Sequence, residues 1–122
     1  MFNKLLKRQQ QSKTPILVYD GEKVAIAYAG YEYDKVMSET KLLFRVTNKT
    51  KYELTIKMDI IKIGDSTVDM YCRADIFPNT WGKLKAWVDG QVELDELTAN
   101  FVIRCAETCM FETIRVKGVS LK

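Results

Sequence analysis

Apolar and polar residues of this 122-residue chain alternate with a period of two from Ile16 onward. Successive side chains of a strand point to opposite faces of its sheet, so this period predicts strands with one buried face. Turn signals such as Asp20-Gly21 and Asp89-Gly90 separate the alternating runs. About seven to eight short strands with no long helix between them predict an all-β, antiparallel sandwich or barrel.

The apolar parity changes once within a single run. Apolar residues occupy every second position from Leu54 to Ile60, whereas Ile61 and Ile63 have the opposite parity. An extra residue in a strand shifts its pairing and bends it. We therefore predict a bulge or bend near residues 59–61 that brings the strand to a new neighbour.

The N-terminus has a helical period instead. Phe2, Leu5 and Leu6 have i, i+3, i+4 spacing, which predicts a short amphipathic helix over residues 2–12. Thr14-Pro15 ends it, because the residue before a proline is disfavoured in the α region. These three apolar side chains are candidate anchors on a partner.

Charge divides the chain in the same place. Four basic side chains and no acidic one lie in the first 14 residues, so the remainder of the +3 chain is near −1. We interpret residues 1–14 as a basic N-terminal arm and residues 15–122 as the β-sandwich domain. No apolar core of a secretory signal follows the basic start, which predicts a cytoplasmic protein, or one inside a virion if it belongs to a particle.

Residue types for catalysis or metal binding are scarce. The odd set of Cys72, Cys105 and Cys109 predicts reduced thiols, and without histidine a zinc site cannot be completed from Cys and His. The commonest general base is absent as well. Carboxylates between residues 93 and 96 follow Gly90, as in a solvated loop. We predict no enzyme, no catalytic or metal site and no cofactor.

Aromatic side chains are the remaining candidates for binding. Tyr31 and Tyr33 are predicted on one strand face, with Tyr28 on the other. Trp87 has the parity opposite to its strand's apolar residues, and Trp81 is predicted in a loop. Tyrosine and tryptophan are enriched at interfaces, although a sheet face packed on its own neighbours explains the same pattern.

The central segment also resembles a known family, an immunoglobulin-like β-sandwich domain of unknown function common in proteins of Gram-positive bacteria. The resemblance covers roughly residues 20–121 and implies an immunoglobulin-like sandwich without an active site. It rests on turns and core positions: Leu42 to Val46, Asn48, Thr50, Leu54 to Ile56, Gly64, Val68, Asp69, Ala74 and Gly82 to Ala86.

Two functional hypotheses follow. The first is a non-catalytic protein-binding module, an accessory, inhibitory or assembly component. The alternative is a structural subunit of a phage or mobile-element particle, with the N-terminal arm docked on a neighbour. Another protein is the expected partner, a homo-oligomer stays open, and nucleic acid and membrane are disfavoured because the body is near neutral and the arm offers little apolar area. The predicted partner-binding residues are Phe2, Leu5, Leu6, Tyr31, Tyr33, Trp81 and Trp87.

Overall fold

The computed structural model describes residues 8–63, 66–68, 72–89 and 96–121. These residues form strands and no helix, which confirms the all-β prediction. None of them forms a helix that is long and apolar enough to cross a membrane. The strands are β1 (Arg8–Asp20), β2 (Val24–Asp34), β3 (Glu39–Asn48), β4 (Leu54–Ile63), β5 (Ser66–Val68), β6 (Cys72–Ile76), β7 (Trp81–Asp89), β8 (Glu96–Cys105) and β9 (Met110–Ser120).

The strands form two sheets, and every pairing within them is antiparallel, as predicted. The first sheet has the order β1-β2-β3-β7. In the second sheet β4 pairs with β8, β8 pairs with β9, and both β5 and β6 pair with the other edge of β4. The chain therefore passes between the sheets three times, after β3, β6 and β7.

The bend predicted in β4 is confirmed. Residues 54–58 pair with β6, whereas residues 61–63 pair with β5. The pairing of β4 with β8 shifts register between Asp59 and Lys62. The parity change in the sequence thus marks the point where one strand exchanges neighbours, as a bulge does.

The core lies between the sheets and takes one face from each. The Phe44 ring of β3 makes edge contacts with Tyr28 of the same sheet and Phe101 of the other, both at 5.8 Å between centroids. Such aromatic pairs contribute about 0.5–1.5 kcal/mol beyond area burial. Large side chains that are almost fully buried around them are Ile26, Leu42, Leu54, Ile56, Met58, Leu84, Leu97 and Ile103.

The predicted N-terminal helix is wrong over residues 8–12, because these residues form the start of β1 and pair with β2. A helix this short is marginal in water, whereas pairing along β2 satisfies the same backbone groups with a preformed strand. The remaining part of the predicted helix, with Phe2, Leu5 and Leu6, lies outside the described residues.

A buried amide joins the end of β3 to the connection that leads into β7. Asn48 is 1% exposed, and its Nδ2 donates to the carbonyl oxygens of Tyr52 (2.7 Å), Ile76 (3.0 Å) and Phe77 (3.2 Å). Its Oδ1 accepts from the N–H (2.8 Å) and hydroxyl (2.7 Å) of Thr50. The amide therefore fixes where β7 enters the first sheet.

Candidate partner-binding surface

β7 presents two half-exposed tryptophans on the outer face of the first sheet. Trp81 and Trp87 each have 47% of their surface exposed. The outward orientation predicted for Trp87 is confirmed. The loop position predicted for Trp81 is wrong, because this residue pairs with Thr47 of β3 and begins β7. The alternate residues of the strand are buried: Leu84, Ala86 and Val88.

Basic side chains surround these tryptophans. Lys83 and Lys85 lie between them on the outer side of β7. In the β3–β7 register, Lys41 is opposite Trp87 and Arg45 is opposite Lys83. Directly opposite residues share a sheet face, so both strands contribute to one surface. We call it the basic aromatic face: Lys41, Leu43, Arg45, Trp81, Lys83, Lys85 and Trp87.

A cationic side chain lies over the ring of each tryptophan. The Arg45 guanidinium carbon lies 3.9 Å from the centroid of the Trp81 ring, and Lys41 Nζ lies 5.0 Å from that of Trp87. Cation–π contacts at exposed sites contribute about 0.5–1 kcal/mol each. They hold the rings in place on the sheet, which lowers the conformational entropy that a partner would have to remove.

The charge of this face is only partly compensated. Lys41 Nζ forms an ion pair with Glu32 Oε1 at 2.8 Å. By contrast, no described carboxylate pairs with Arg45, Lys83 or Lys85. Among the described residues, three cations between the two tryptophans therefore lack a carboxylate partner.

A shallow groove of about 320 Å³ crosses the same face. Pro15, Ala29 and Leu43 contribute apolar surface to it. Its charged lining comprises the ion pair of Glu32 and Lys41 together with Arg45, Lys83 and Lys85. The face thus combines apolar contact area with positive charge.

Tyr31 and Tyr33 lie elsewhere, because β2 contains a bulge. Tyr28 is opposite Phe44, but Gly30 is opposite Leu43, so Ala29 has no partner in the register with β3. Gly30 has a φ of 111°, a conformation that glycine adopts without the strain a Cβ would impose. The extra residue reverses the parity of the strand beyond it.

Beyond the bulge, Tyr31 is opposite the buried Leu42 and Tyr33 is opposite the buried Thr40. Both tyrosines are half-buried and lie on the inner side of the sheet, as Tyr28 does. The prediction that Tyr28 lies on the opposite face is therefore wrong. The structure does not bring Tyr31 and Tyr33 together with Trp81 and Trp87.

The groups considered for chemistry are dispersed. All three cysteines are free, with Cys72 and Cys105 buried and Cys109 exposed. Burial raises the pKa of the Cys72 thiol, which disfavours the reactive thiolate. Glu96 begins β8, and the acidic residues at 93 and 95 lie outside the described part of the chain. No three His, Cys, Asp or Glu side chains of the described residues converge as metal ligands.

Comparisons with known proteins add little. Neither a family model nor a curated protein matches the sequence. Among solved structures, a FixG-related protein from Vibrio parahaemolyticus is similar over 85% of this chain and 100% of its own, with 13% identity and a TM-score of 0.41. That likeness is too weak to support an argument.

The basic residues of this face are the part that sequence reasoning missed. Lys83, Lys85 and Trp87 share one parity in β7, and so do Lys41 and Arg45 in β3. Their parity places each set on the outer side of its strand. Only the β3–β7 register shows that the two sets are neighbours.

Proposed function

We propose that this chain is a non-catalytic protein-binding module whose partner docks on the basic aromatic face. The observation that carries the proposal is the pair of half-exposed tryptophans, Trp81 and Trp87, aligned on one strand. Tryptophan is the side chain most enriched among residues that dominate binding energy, and arginine is also enriched there. The face includes both types.

The dimensions of the face support this function. Trp81 and Trp87 are six positions apart, which corresponds to about 20 Å along the strand at about 3.3 Å per residue. A stable protein interface covers roughly 800 Å² on each partner, so a patch about 20 Å long can form the central part of such an interface. The rings contact Arg45 and Lys41, so they are ordered before the partner arrives.

The same proposal includes an immunoglobulin-like architecture for the domain. Two antiparallel sheets around one core, with three passages of the chain between them, are consistent with such a sandwich.

The proposal is tested by capturing the partner protein and then measuring its affinity for variants of the domain. The wild-type domain, the Trp81→Ala/Trp87→Ala variant and a Phe111→Ala control serve as baits, and captured proteins are identified by mass spectrometry. Phe111 is 65% exposed on β9 of the other sheet, so it controls for loss of an exposed aromatic ring. The identified partner is then purified and titrated calorimetrically against each bait.

We expect the double tryptophan variant to bind the purified partner at least about thirtyfold more weakly, because removal of a binding hot spot costs about 2 kcal/mol or more. Phe111→Ala should bind as the wild type does. Circular dichroism of each bait checks that the fold is retained. Equal affinity of the double variant and the control for the partner would exclude this face as the docking surface.

A further inference from the structure

We propose that the partner segment on the basic aromatic face is an acidic stretch of polypeptide in extended conformation, lying along β7 with carboxylates beside Lys83 and Lys85. This inference rests on the proposed function, because it assigns a chemistry to the partner of that face. It also predicts a pattern: acidic residues at two alternate positions, flanked by apolar residues that contact the tryptophans.

The charge of the basic aromatic face is complementary to an acidic segment. Arg45, Lys83 and Lys85 have no carboxylate partner among the described residues, although Lys41 on the same face is paired with Glu32. Arg45 is directly opposite Lys83. Like charges directly opposite each other are destabilising, so the sheet has an electrostatic cost there that an anionic partner would relieve.

The spacing of the two lysines matches that of alternate side chains in an extended peptide. Lys83 and Lys85 are two residues apart on one side of a strand, which separates them by about 6.5 Å. Alternate side chains of any extended peptide have the same separation. Two carboxylates at alternate positions of an extended segment therefore meet both lysines in one register, and flanking apolar side chains fall near Trp81 and Trp87.

β7 lies at the edge of its sheet. Its only strand partner in the described sheet is β3, so a row of main-chain N–H and C=O groups faces away from the sheet. An extended peptide can add to such an edge, with main-chain hydrogen bonds supplying affinity and side-chain contacts supplying specificity. A helical or globular partner would leave these groups unused.

Lysines on an edge strand also discourage aggregation, and that role must be distinguished from binding. A protective edge avoids exposed apolar side chains. β7 instead exposes tryptophans on both sides of its lysines, each with 47% of its surface accessible. The combination fits a surface that selects one acidic partner better than an edge that repels all strands.

Single-stranded nucleic acid is the other polyanion to consider. Sequence-independent binders stack bases on free aromatic faces and contact many phosphates. Here each tryptophan ring already carries a cation, and the uncompensated patch holds three charges. These features match a short acidic segment better than a nucleic acid strand.

Fluorescence anisotropy with defined probes tests the inference. The first probe is a labelled peptide of β7's length, nine residues, with leucine near each end, glutamate at two alternate central positions and threonine elsewhere. The second replaces both glutamates by lysine, and the third is an oligothymidylate. The proteins are the wild type, Lys83→Glu/Lys85→Glu, the milder Lys83→Gln/Lys85→Gln, and Lys62→Glu/Lys117→Glu as a control with exposed lysines of the other sheet.

We expect the acidic peptide to bind the wild type and the control alike, and to bind the charge-reversed variant about tenfold more weakly, since both exposed ion pairs with the peptide are lost. The glutamine variant should lie between them. The lysine peptide should show the reverse preference, with tighter binding to the charge-reversed variant than to the wild type. Such a swap reports a direct charge contact, which a loss of folding cannot produce.

Two further peptides test the extended pairing. Each is N-methylated at every second residue, one on the odd and one on the even positions, so each loses the N–H donors of one edge. Pairing with β7 predicts that one methylated peptide binds as the parent does and the other loses most of its affinity. Equal affinity of the two would exclude strand addition.

The outcomes separate this inference from the proposed function. If the tryptophan variant loses its partner but no acidic peptide binds, the docking surface stands and its acidic extended occupant is wrong. If the oligothymidylate binds more tightly than the acidic peptide and depends on Lys83 and Lys85, nucleic acid is the ligand and the inference is overturned. If the charge-reversed and control variants bind the acidic peptide equally, the inference is also overturned.

Discussion

At the scale of single residues, Asn48 makes the strongest prediction. Its buried amide donates to three main-chain carbonyls and accepts two hydrogen bonds from Thr50. Asn48→Ala leaves these groups without their partner, and each buried unsatisfied group costs about 1–3 kcal/mol. We expect the free energy of unfolding to fall by about 3 kcal/mol, measured by urea denaturation.

Asn48→Asp should destabilise further than Asn48→Ala, because it places a carboxylate oxygen against carbonyls that need a donor. Asn100→Ala is the matched control, since this asparagine makes an exposed hydrogen bond with Arg115. We expect the control to change the free energy of unfolding by less than about 0.5 kcal/mol. Similar losses of unfolding free energy in Asn48→Ala and Asn100→Ala would contradict a stabilising role for the buried amide.

At the scale of strands, β1 supplies the next prediction. Residues 8–12 pair with residues 30–34 of β2, where the chain pattern had suggested a helix. A protein lacking residues 1–12 should therefore be less stable than one lacking only residues 1–7, by about 2 kcal/mol, since cross-strand pairs contribute about 0.2–1 kcal/mol each. Calorimetric melting of the two truncated proteins measures the difference.

The shorter truncation is the control for loss of the N-terminal charges, so the comparison isolates the strand pairing. Circular dichroism adds an independent check, because the longer truncation should lose β signal and no helical signal. Identical melting temperatures for the two proteins would mean that this part of β1 contributes nothing to the fold.

Much of the strand pattern was predictable from the sequence, because alternation reports which face of a strand is buried. The exchange of neighbours in β4 and the outward orientation of Trp87 both follow from parity alone. The start of β1 does not, because Phe2, Leu5 and Leu6 fit a helical spacing whatever the residues after them pair with. Strand pairing depends on a partner that local spacing does not reveal.

The candidate surface could be predicted only in part, because it too depends on strand pairing. Trp81 and Trp87 are visible as single residues, but the basic aromatic face depends on the register between β3 and β7, which are distant in the sequence. The inward orientation of Tyr31 depends on a bulge beside Gly30. A glycine within a strand can indicate a bulge, but it does not by itself show that the side chains beyond it change sheet faces.

At the scale of the whole molecule, the core determines how stability responds to alkaline pH. Burial, with a smaller contribution from the nearby Tyr31, raises the pKa of the Tyr28 phenol well above its ordinary value of 10.0. Burial also raises the pKa of the Cys72 thiol above 9.0. In both cases the folded protein keeps a proton that the unfolded chain releases, so rising pH favours unfolding.

We therefore expect the free energy of unfolding to be level below about pH 9 and to fall above it, first through Cys72 and from about pH 10 through Tyr28 as well. Each group adds a slope of up to about 1.4 kcal/mol per pH unit. Urea denaturation across this range measures the slope. Tyr28→Phe should be shallower than the wild type above pH 10, whatever its stability at neutral pH, and parallel curves would contradict the assignment.

The bulge in β2 has an evolutionary consequence. Ala29 is the extra residue that places Tyr31 and Tyr33 on the same side of the sheet as Tyr28, although their sequence positions have the opposite parity. Loss of that codon would leave a regular ladder in the present register, with both tyrosines still inward. Insertion of one residue between Gly30 and Tyr31 would instead turn both tyrosines outward, onto the sheet face that carries the tryptophans. A single inserted codon can therefore move aromatic side chains from the interior to the exterior of this sheet, with no change of residue type, and so create a new binding surface in one step.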